Sequence, residues 1–297
     1  MTVRHLLEID DVTPAELETI LDLATDPQPG PVLYGRGVAL LFEKPSARTR
    51  NATEMAVVDL GGHPLTMRGE EVGLDSRETA EDVARTLACY HAVICARVFD
   101  HRVLERMAAV AGVPVLNLLS DLGHPAQAVA DVLTLAGHFG KVKDLTVAYI
   151  GDWNNVALSL GLALGACGAR LHLGCPPGYQ PDPKALDRLG AAGAEPAVFD
   201  RPEQAVNGSD AVYADVWTSM GQESEAAARR VAFEGFTVDE KLMARAKPDA
   251  VFLHCLPAHR DEEVSASVLE GSRSLVWTQA ANRRHAARGI LRWLVAG

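Results

Sequence analysis

The sequence predicts an α/β protein made of two doubly wound parallel-sheet domains. Three observations carry this. Short apolar or β-branched runs alternate with longer stretches of 3.6-residue periodicity through most of the chain. A polar, glycine-containing segment at 140–144 divides these runs into two groups. With 297 residues, of which 48% are hydrophobic, the chain has enough apolar material for two modest cores.

The elements follow in order. Thr13-Pro14-Ala15-Glu16 opens the first helix, with Thr13 as N-cap, Pro14 at the first helical position and Glu16 completing a capping box. A Pro/Gly-rich stretch at 26–30 ends it. Strands are expected at 38–42, 92–96, 114–118, 146–150, 169–173, 211–215, 250–254 and 275–278. Helical periodicity occupies 46–60, 78–90, 125–139 and 155–167, and a last helix covers 279–295. Two sheets fit this spacing better than one, with the junction on the helix that begins at Pro125. The expected division is 1–130 and 131–278, with 279–297 packing back on the first domain.

Charge and composition narrow the function. There are 28 basic and 39 acidic residues, a net charge of −11, which disfavours general binding to nucleic acid or to an anionic membrane. An anionic ligand would therefore need a local basic cluster. The longest nearly apolar run, 156–169, is too short to span a bilayer and is interrupted by glycine. Acids in the first twelve residues argue against a secretion signal. The five cysteines (Cys89, Cys95, Cys167, Cys175, Cys255) lack CxxC spacing, so neither a zinc set nor a disulfide framework is read from them. A reduced, cytoplasmic protein is expected.

Several segments at the ends of expected strands carry chemistry. Ser46-Ala47-Arg48-Thr49-Arg50 opens a helix with a capping hydroxyl, free backbone N–H groups and two guanidinium groups. Cations in a first helical turn oppose the dipole, so a bound phosphate explains them better than stability does. His124-Pro125-Ala126-Gln127 supports either a capping histidine on a loop or a His/Gln pair aimed at a carbonyl or amide. Gly151-Asp152-Trp153-Asn154-Asn155 lacks the G-x-G-x-x-G spacing of a dinucleotide turn; its asparagines suit a helix cap, their plainest role, or a polar zwitterion.

Asp215, ahead of Ser219-Met220-Gly221, is either the cap of a turn or a partner for an ammonium, with Gly221 permitting a mobile loop. In His254-Cys255-Leu256-Pro257 the thiol reads more readily as a small polar lining group than as a nucleophile. Asn282-Arg283-Arg284-His285 offers a further anion-binding arginine. All but the last lie where open α/β sheets bind ligands.

Taken together, Ser-Ala-Arg-Thr-Arg, His-Pro-Ala-Gln, Asp215 with Ser-Met-Gly, and His-Cys-Leu-Pro resemble, in order, the motifs of ornithine carbamoyltransferases. The resemblance spans essentially the whole chain. It implies one domain for carbamoyl phosphate and one for ornithine, with the active site in the cleft between them, in a homotrimer or a multiple of trimers. Carried over by position, carbamoyl phosphate is held by Ser46, Ala47, Arg48, Thr49, Arg97, His124, Gln127, Cys255, Leu256 and Arg283. Ornithine is held by Asn155, Asp215, Ser219 and Met220. The catalytic set is Arg48, Arg97, His124 and Cys255. No metal and no organic cofactor is implied.

The chain also departs from the family pattern. Ala47 stands where threonine is usual, and Asn51-Ala52-Thr53-Glu54 replaces x-Ser-Phe-Glu. The segment from Thr66 to Glu78 lacks the glutamine that usually reaches a neighbouring subunit's site, and carries Glu70, Glu71 and Asp75 instead. Trp153 replaces a glycine, and Ala281 a glutamate. The alternatives are a carbamoyltransferase for putrescine, lysine or an acylated ornithine, and a non-catalytic ligand-binding relative.

Overall fold

The structure, a computed structural model, describes residues 3–219 and 221–296. Its contacts divide into two compact units, Met1–Leu133 with Ala281–Gly297, and Thr134–Ala280.

The first unit begins with α1 (Pro14–Thr25). Thr13 Oγ1 accepts the Glu16 N–H at 3.3 Å and Glu16 Oε2 accepts the Thr13 N–H at 2.9 Å, so the capping box forms. There follow β1 (Gly37–Phe42), α2 (Ala47–Asp59), β2 (His63–Arg68), α3 (Gly69–Val72), α4 (Ala80–Ala88), β3 (His91–Arg97), α5 (His101–Val110) and β4 (Val115–Leu119). The sheet is parallel with order β2-β1-β3-β4. The chain therefore winds outward in opposite directions from between β1 and β3, and this switch point opens a crevice at the carboxyl ends.

Helix α6 (Pro125–Phe139) carries the chain into the second unit. Its elements are β5 (Thr146–Ile150), α7 (Asn155–Ala166), β6 (Arg170–Gly174), α8 (Pro183–Ala191), β7 (Ala197–Phe199), α9 (Pro202–Val206), β8 (Ala211–Ala214), α10 (Ala226–Ala232), α11 (Glu240–Met243), β9 (Val251–His254) and α12 (Ala266–Leu269). This sheet is also parallel, with order β7-β6-β5-β8-β9 and a switch point between β5 and β8. The apolar run at 156–169 is explained by α7, whose residues from Val156 to Gly165 are all buried.

Helix α13 (Val276–Val295) ends the described chain, and most of its length belongs to the first unit. Arg288 Nη2 donates to the carbonyls of Ala24 and Asp26 at 2.6 and 2.9 Å, and Arg292 Nη1 to that of Leu23 at 2.9 Å. The last turn of α1, which has no intrahelical donors for these carbonyls, is thus satisfied from α13. A Cβ on Gly289 would lie 2.8 Å from Ala24 Cβ, so the two helices meet where one side chain is missing.

Three strand assignments differ from expectation. The segment 275–278 is not a strand. Ser274 makes a single bridge to Phe252, Leu275 N–H donates to the Phe252 carbonyl at 2.9 Å, and the chain turns directly into α13. Its β-branched and aromatic residues mimic a strand, but tertiary contact along one helical face overrides the local preference. Strands β2 and β7 were not expected. Both are sheet edges, so neither has a fully buried apolar run, and β2 contains Pro64, which only an edge tolerates.

Candidate active site

In the first unit, the residues expected to bind an anion converge on the carboxyl ends of β1, β3 and β4. Phe42 pairs with Arg97 in the β1–β3 register, so the segment leaving β1 runs beside the Arg97 side of the rim. Ser46 is the N-cap of α2, its Oγ accepting the Thr49 N–H at 3.2 Å. Ala47, Arg48 and Thr49 form the first helical turn, where backbone N–H groups have no intrahelical acceptor. Among the described residues Arg48 forms no ion pair. Arg50 does not join the set: its guanidinium is bound by Glu54 at 2.9 Å, one turn along α2.

Arg283, from α13, draws three of the expected residues together. Its Nη1 donates to Gln127 Oε1 at 2.7 Å and its Nη2 to Thr49 Oγ1 at 2.5 Å. The same Nη2 lies 3.4 Å from His124 Nε2. Burial and the charges of Arg283, Arg97 and Arg48 hold the His124 pKa well below its usual 6.5, so the imidazole is neutral at physiological pH. Since arginine only donates, the Arg283 contact assigns the acceptor role to Nε2. Arg97 is buried at the end of β3. Ser46, Ala47, Arg48, Thr49, Arg97, His124, Gln127 and Arg283 therefore all belong to one unit and one rim.

A cavity of about 620 Å³ opens beside this rim, lined by Ser46, Ala47, Arg50, Glu54, Thr66 and Glu70 among others. Its wall contains none of Arg97, His124, Gln127 or Arg283, so it lies on the β2 side of α2 rather than over the cationic cluster. Glu70 and Glu71 are exposed on α3. Asp75 accepts from Arg106 at 2.8 and 2.9 Å and from the Ala80 N–H at 3.1 Å, which makes it a structural anchor of its loop.

In the second unit, β5, β8 and β9 end side by side, with Ile150 paired to Ala214 and Ala214 to His254. Asp215 follows β8 at the centre of that rim and is buried. Its Oδ2 accepts from Asn154 Nδ2 at 2.9 Å, and its Oδ1 accepts from Cys255 Sγ at 3.0 Å and from the Val216 N–H at 2.8 Å. The thiol is thus a donor to a carboxylate. Asn154 also caps α7, its Oδ1 accepting the N–H groups of Val156 and Ala157 and the Tyr149 hydroxyl at 3.2 Å. Burial and the nearby Asp215 raise the Tyr149 pKa well above 10, so it remains a neutral donor.

Of the other expected ornithine residues, Asn155 starts α7 directly after that cap, and Ser219 donates its backbone N–H to Gln222 Oε1 at 3.1 Å while its carbonyl accepts the Gln222 N–H at 3.0 Å. Met220 lies outside the described residues. Beneath this segment, Arg229 donates to Asp152 at 2.7 Å and to the Trp217 carbonyl at 3.0 Å. Burial outweighs that ion pair and pushes the Asp152 carboxyl up to about 6. Cys255 and Leu256, expected with the phosphate group, belong to this second unit. The Leu256 N–H donates to His254 Nδ1 at 2.8 Å, and among the described residues no backbone N–H donates to its carbonyl. Leu256 has φ +60°, a left-handed conformation that costs a non-glycine residue about 1–3 kcal/mol and must be held by its surroundings.

Sequence reasoning passed over Asp131, Asn154 as a partner of Asp215, and Glu263. Asp131 had a usable signal, since it falls four residues after Gln127 on one helix face. Glu263 had none, because nothing local marks a buried carboxylate in a loop.

Comparison with known proteins agrees along the whole chain. Residues 4–137 match the family described as "Aspartate/ornithine carbamoyltransferase, carbamoyl-P binding domain", and residues 143–294 match "Aspartate/ornithine carbamoyltransferase, Asp/Orn binding domain". The chain is 45% identical to the ornithine carbamoyltransferase of Acidothermus cellulolyticus over 306 residues, covering 99% of this chain and 97% of the relative. Among solved structures, the ornithine carbamoyltransferase of Pyrococcus furiosus is 42% identical with a TM-score of 0.94, covering 100% of this chain and 98% of that one. That of Thermus thermophilus is 42% identical with a TM-score of 0.90, covering 98% of each chain.

Proposed function

The chain belongs to the aspartate/ornithine carbamoyltransferase family, and on that premise we propose that it transfers the carbamoyl group of carbamoyl phosphate to the side-chain amine of L-ornithine, giving L-citrulline and phosphate. The observation that carries the ornithine assignment is Asp215. It is a buried carboxylate at the middle of a strand rim, met by neutral donors from Asn154 and Cys255. Such a group suits the α-ammonium of an amino acid. A dicarboxylate substrate would need a cation instead, and Arg229 is already engaged by Asp152 and Glu225.

In this reading Ser46, Ala47, Arg48, Thr49 and Arg283 receive the phosphate through a helix N-terminus and two guanidinium groups. Arg97, Thr49 and the Nδ1–H of His124 donate to the carbamoyl oxygen as it gains negative charge, and Gln127 holds the carbamoyl end. Cys255 and Leu256 join through backbone groups, the Leu256 carbonyl accepting from the carbamoyl NH2. Asn155, Asp215, Ser219 and Met220 hold ornithine. The neutral amine attacks the carbonyl carbon, the tetrahedral intermediate collapses, and the C–O bond to phosphate breaks, with the proton of the attacking amine passing to the departing phosphate. Phosphate is already a good leaving group, so orientation and oxyanion stabilisation supply the catalysis, and no metal or organic cofactor enters.

The proposal extends to a cytoplasmic, arginine-forming enzyme working as a homotrimer or a multiple of trimers. No helix among the described residues is long and apolar enough to cross a membrane. Exposed Met55 and Val58 on α2 and Leu65 on β2 support an associating face on the first unit.

A substrate panel tests the amine assignment. Ornithine is expected to exceed N-acetylornithine, putrescine, lysine and aspartate in kcat/KM, and Asp215→Ala is expected to raise the KM for ornithine far more than that for carbamoyl phosphate. A higher kcat/KM for any of the other amines would overturn it.

A further inference from the structure

The histidine of the His-Cys-Leu-Pro segment has no task in the reaction above. His254 is fully buried at the end of β9. Its Nδ1 accepts the Leu256 backbone N–H at 2.8 Å, two residues ahead. A ring nitrogen that accepts an N–H does not itself carry a proton, so the ring proton resides on Nε2. That nitrogen faces Glu263 Oε1 at 3.2 Å. Glu263 is likewise fully buried. The same Oε1 accepts the His259 N–H at 2.5 Å, and the Glu263 carbonyl accepts the Val238 N–H at 2.9 Å, so the carboxyl is fixed by its own backbone surroundings. The backbone N–H of His254 donates to Gln279 Oε1 at 2.9 Å, which holds the other side of the residue.

These contacts form a directed chain: Glu263 accepts from Nε2–H, which leaves Nδ1 bare, which in turn accepts the Leu256 N–H. Leu256 is the residue held at φ +60°. Its N–H direction and that conformation together set where its carbonyl points. A histidine with the proton on Nδ1 would present two donors to each other at this turn, and the turn would open.

We propose that Glu263 and His254 are a positioning pair, which selects one imidazole tautomer in order to hold the Leu256 carbonyl toward the carbamoyl NH2. The proposal rests on the carbamoyl-transfer reading above. Neither residue touches substrate. Each acts through the Leu256 backbone, so the expected signature is kinetic and spectroscopic rather than loss of fold.

The test joins side-chain 15N–1H NMR of the full-length, histidine-labelled protein with steady-state kinetics of Glu263→Gln and Glu263→Leu. In the wild type the His254 proton is expected on Nε2. Glutamine keeps an oxygen for both the His254 and His259 donors, so Glu263→Gln should keep that tautomer and recover most activity. Glu263→Leu should mix the tautomers and lower kcat/KM for carbamoyl phosphate by about 10-fold to 100-fold, with the KM for ornithine nearly unchanged. A wild-type proton on Nδ1 would overturn the proposal, and needs no variant to fold. So would a folded Glu263→Leu protein with wild-type kinetics, or a Glu263→Gln protein as impaired as Glu263→Leu. A wild-type protein that transfers no carbamoyl group would contradict the functional reading instead, while the tautomer would still report on the pair.

Discussion

Asp131 accepts the Gln127 amide N–H at 2.8 Å from one turn further along α6, and both side chains are buried. Because Gln127 Oε1 simultaneously accepts from Arg283, the amide has only one orientation that satisfies both ends. Asp131→Leu removes the acceptor and leaves a buried donor unpaired, at a cost of about 1–3 kcal/mol. The expected result is a kcat/KM for carbamoyl phosphate lowered by about tenfold or more, with Asp131→Asn, whose carbonyl oxygen still accepts, much nearer wild type. Steady-state kinetics at saturating ornithine, with thermal unfolding alongside, measure it.

Arg48→Ala isolates the role of the helix N-terminus. Arg48 forms no ion pair among the described residues and is only half-buried, so stability should change little. If it stabilises charge in the transition state, kcat should fall by about 10²–10³-fold. Circular dichroism and the unfolding midpoint serve as controls for the kinetic measurement.

The pH dependence should belong to the substrate. The ornithine side-chain amine resembles that of lysine, with a reference pKa of about 10.4, so its neutral fraction rises about tenfold per unit through neutral pH. His124 adds no limb near 6.5, because burial and three guanidinium groups hold it neutral throughout this range. For stability the sign is the depressed case. His124 contributes fully above its unfolded value of about 6.5, and that contribution is lost as the pH falls toward the folded value. A profile of kcat/KM for ornithine against pH should therefore climb without a break at 6.5, while His124→Asn should flatten the acid side of the stability curve.

Gly289 tests the seating of α13 on α1. Adding a methyl group there brings a carbon to 2.8 Å from Ala24 Cβ and closer still to the Ile20 carbonyl, so the helices must separate. Gly289→Ala should destabilise the protein by about 1–3 kcal/mol. It should also impair carbamoyl phosphate binding, since Arg283 is carried on the same helix. Denaturant unfolding and the KM for carbamoyl phosphate read the two effects.

The parallel sheets, the α1 capping box and most of the rim were legible in the sequence because each rests on a local signal. Apolar runs of β1, β3, β5 and β8 are buried on both faces, and Ser46 and Asp215 fall where strands stop. What escaped depends on contacts distant in sequence or on surroundings that dilute the pattern. Edge strands β2 and β7 lack the buried run. The residues at 275–278 look like a strand until α13 claims them. Arg50 resembles Arg48 in sequence, and only the i,i+4 glutamate separates their roles. His254 is conspicuous in its motif, but its tautomer depends on Glu263, nine residues away, and on a left-handed Leu256 that no propensity predicts.

Purified protein incubated with carbamoyl phosphate and L-ornithine at mildly alkaline pH should form citrulline and release phosphate in equal amounts. Folded protein that binds carbamoyl phosphate but forms no citrulline would contradict the ornithine assignment, and would return the question to the amine that Asp215 receives.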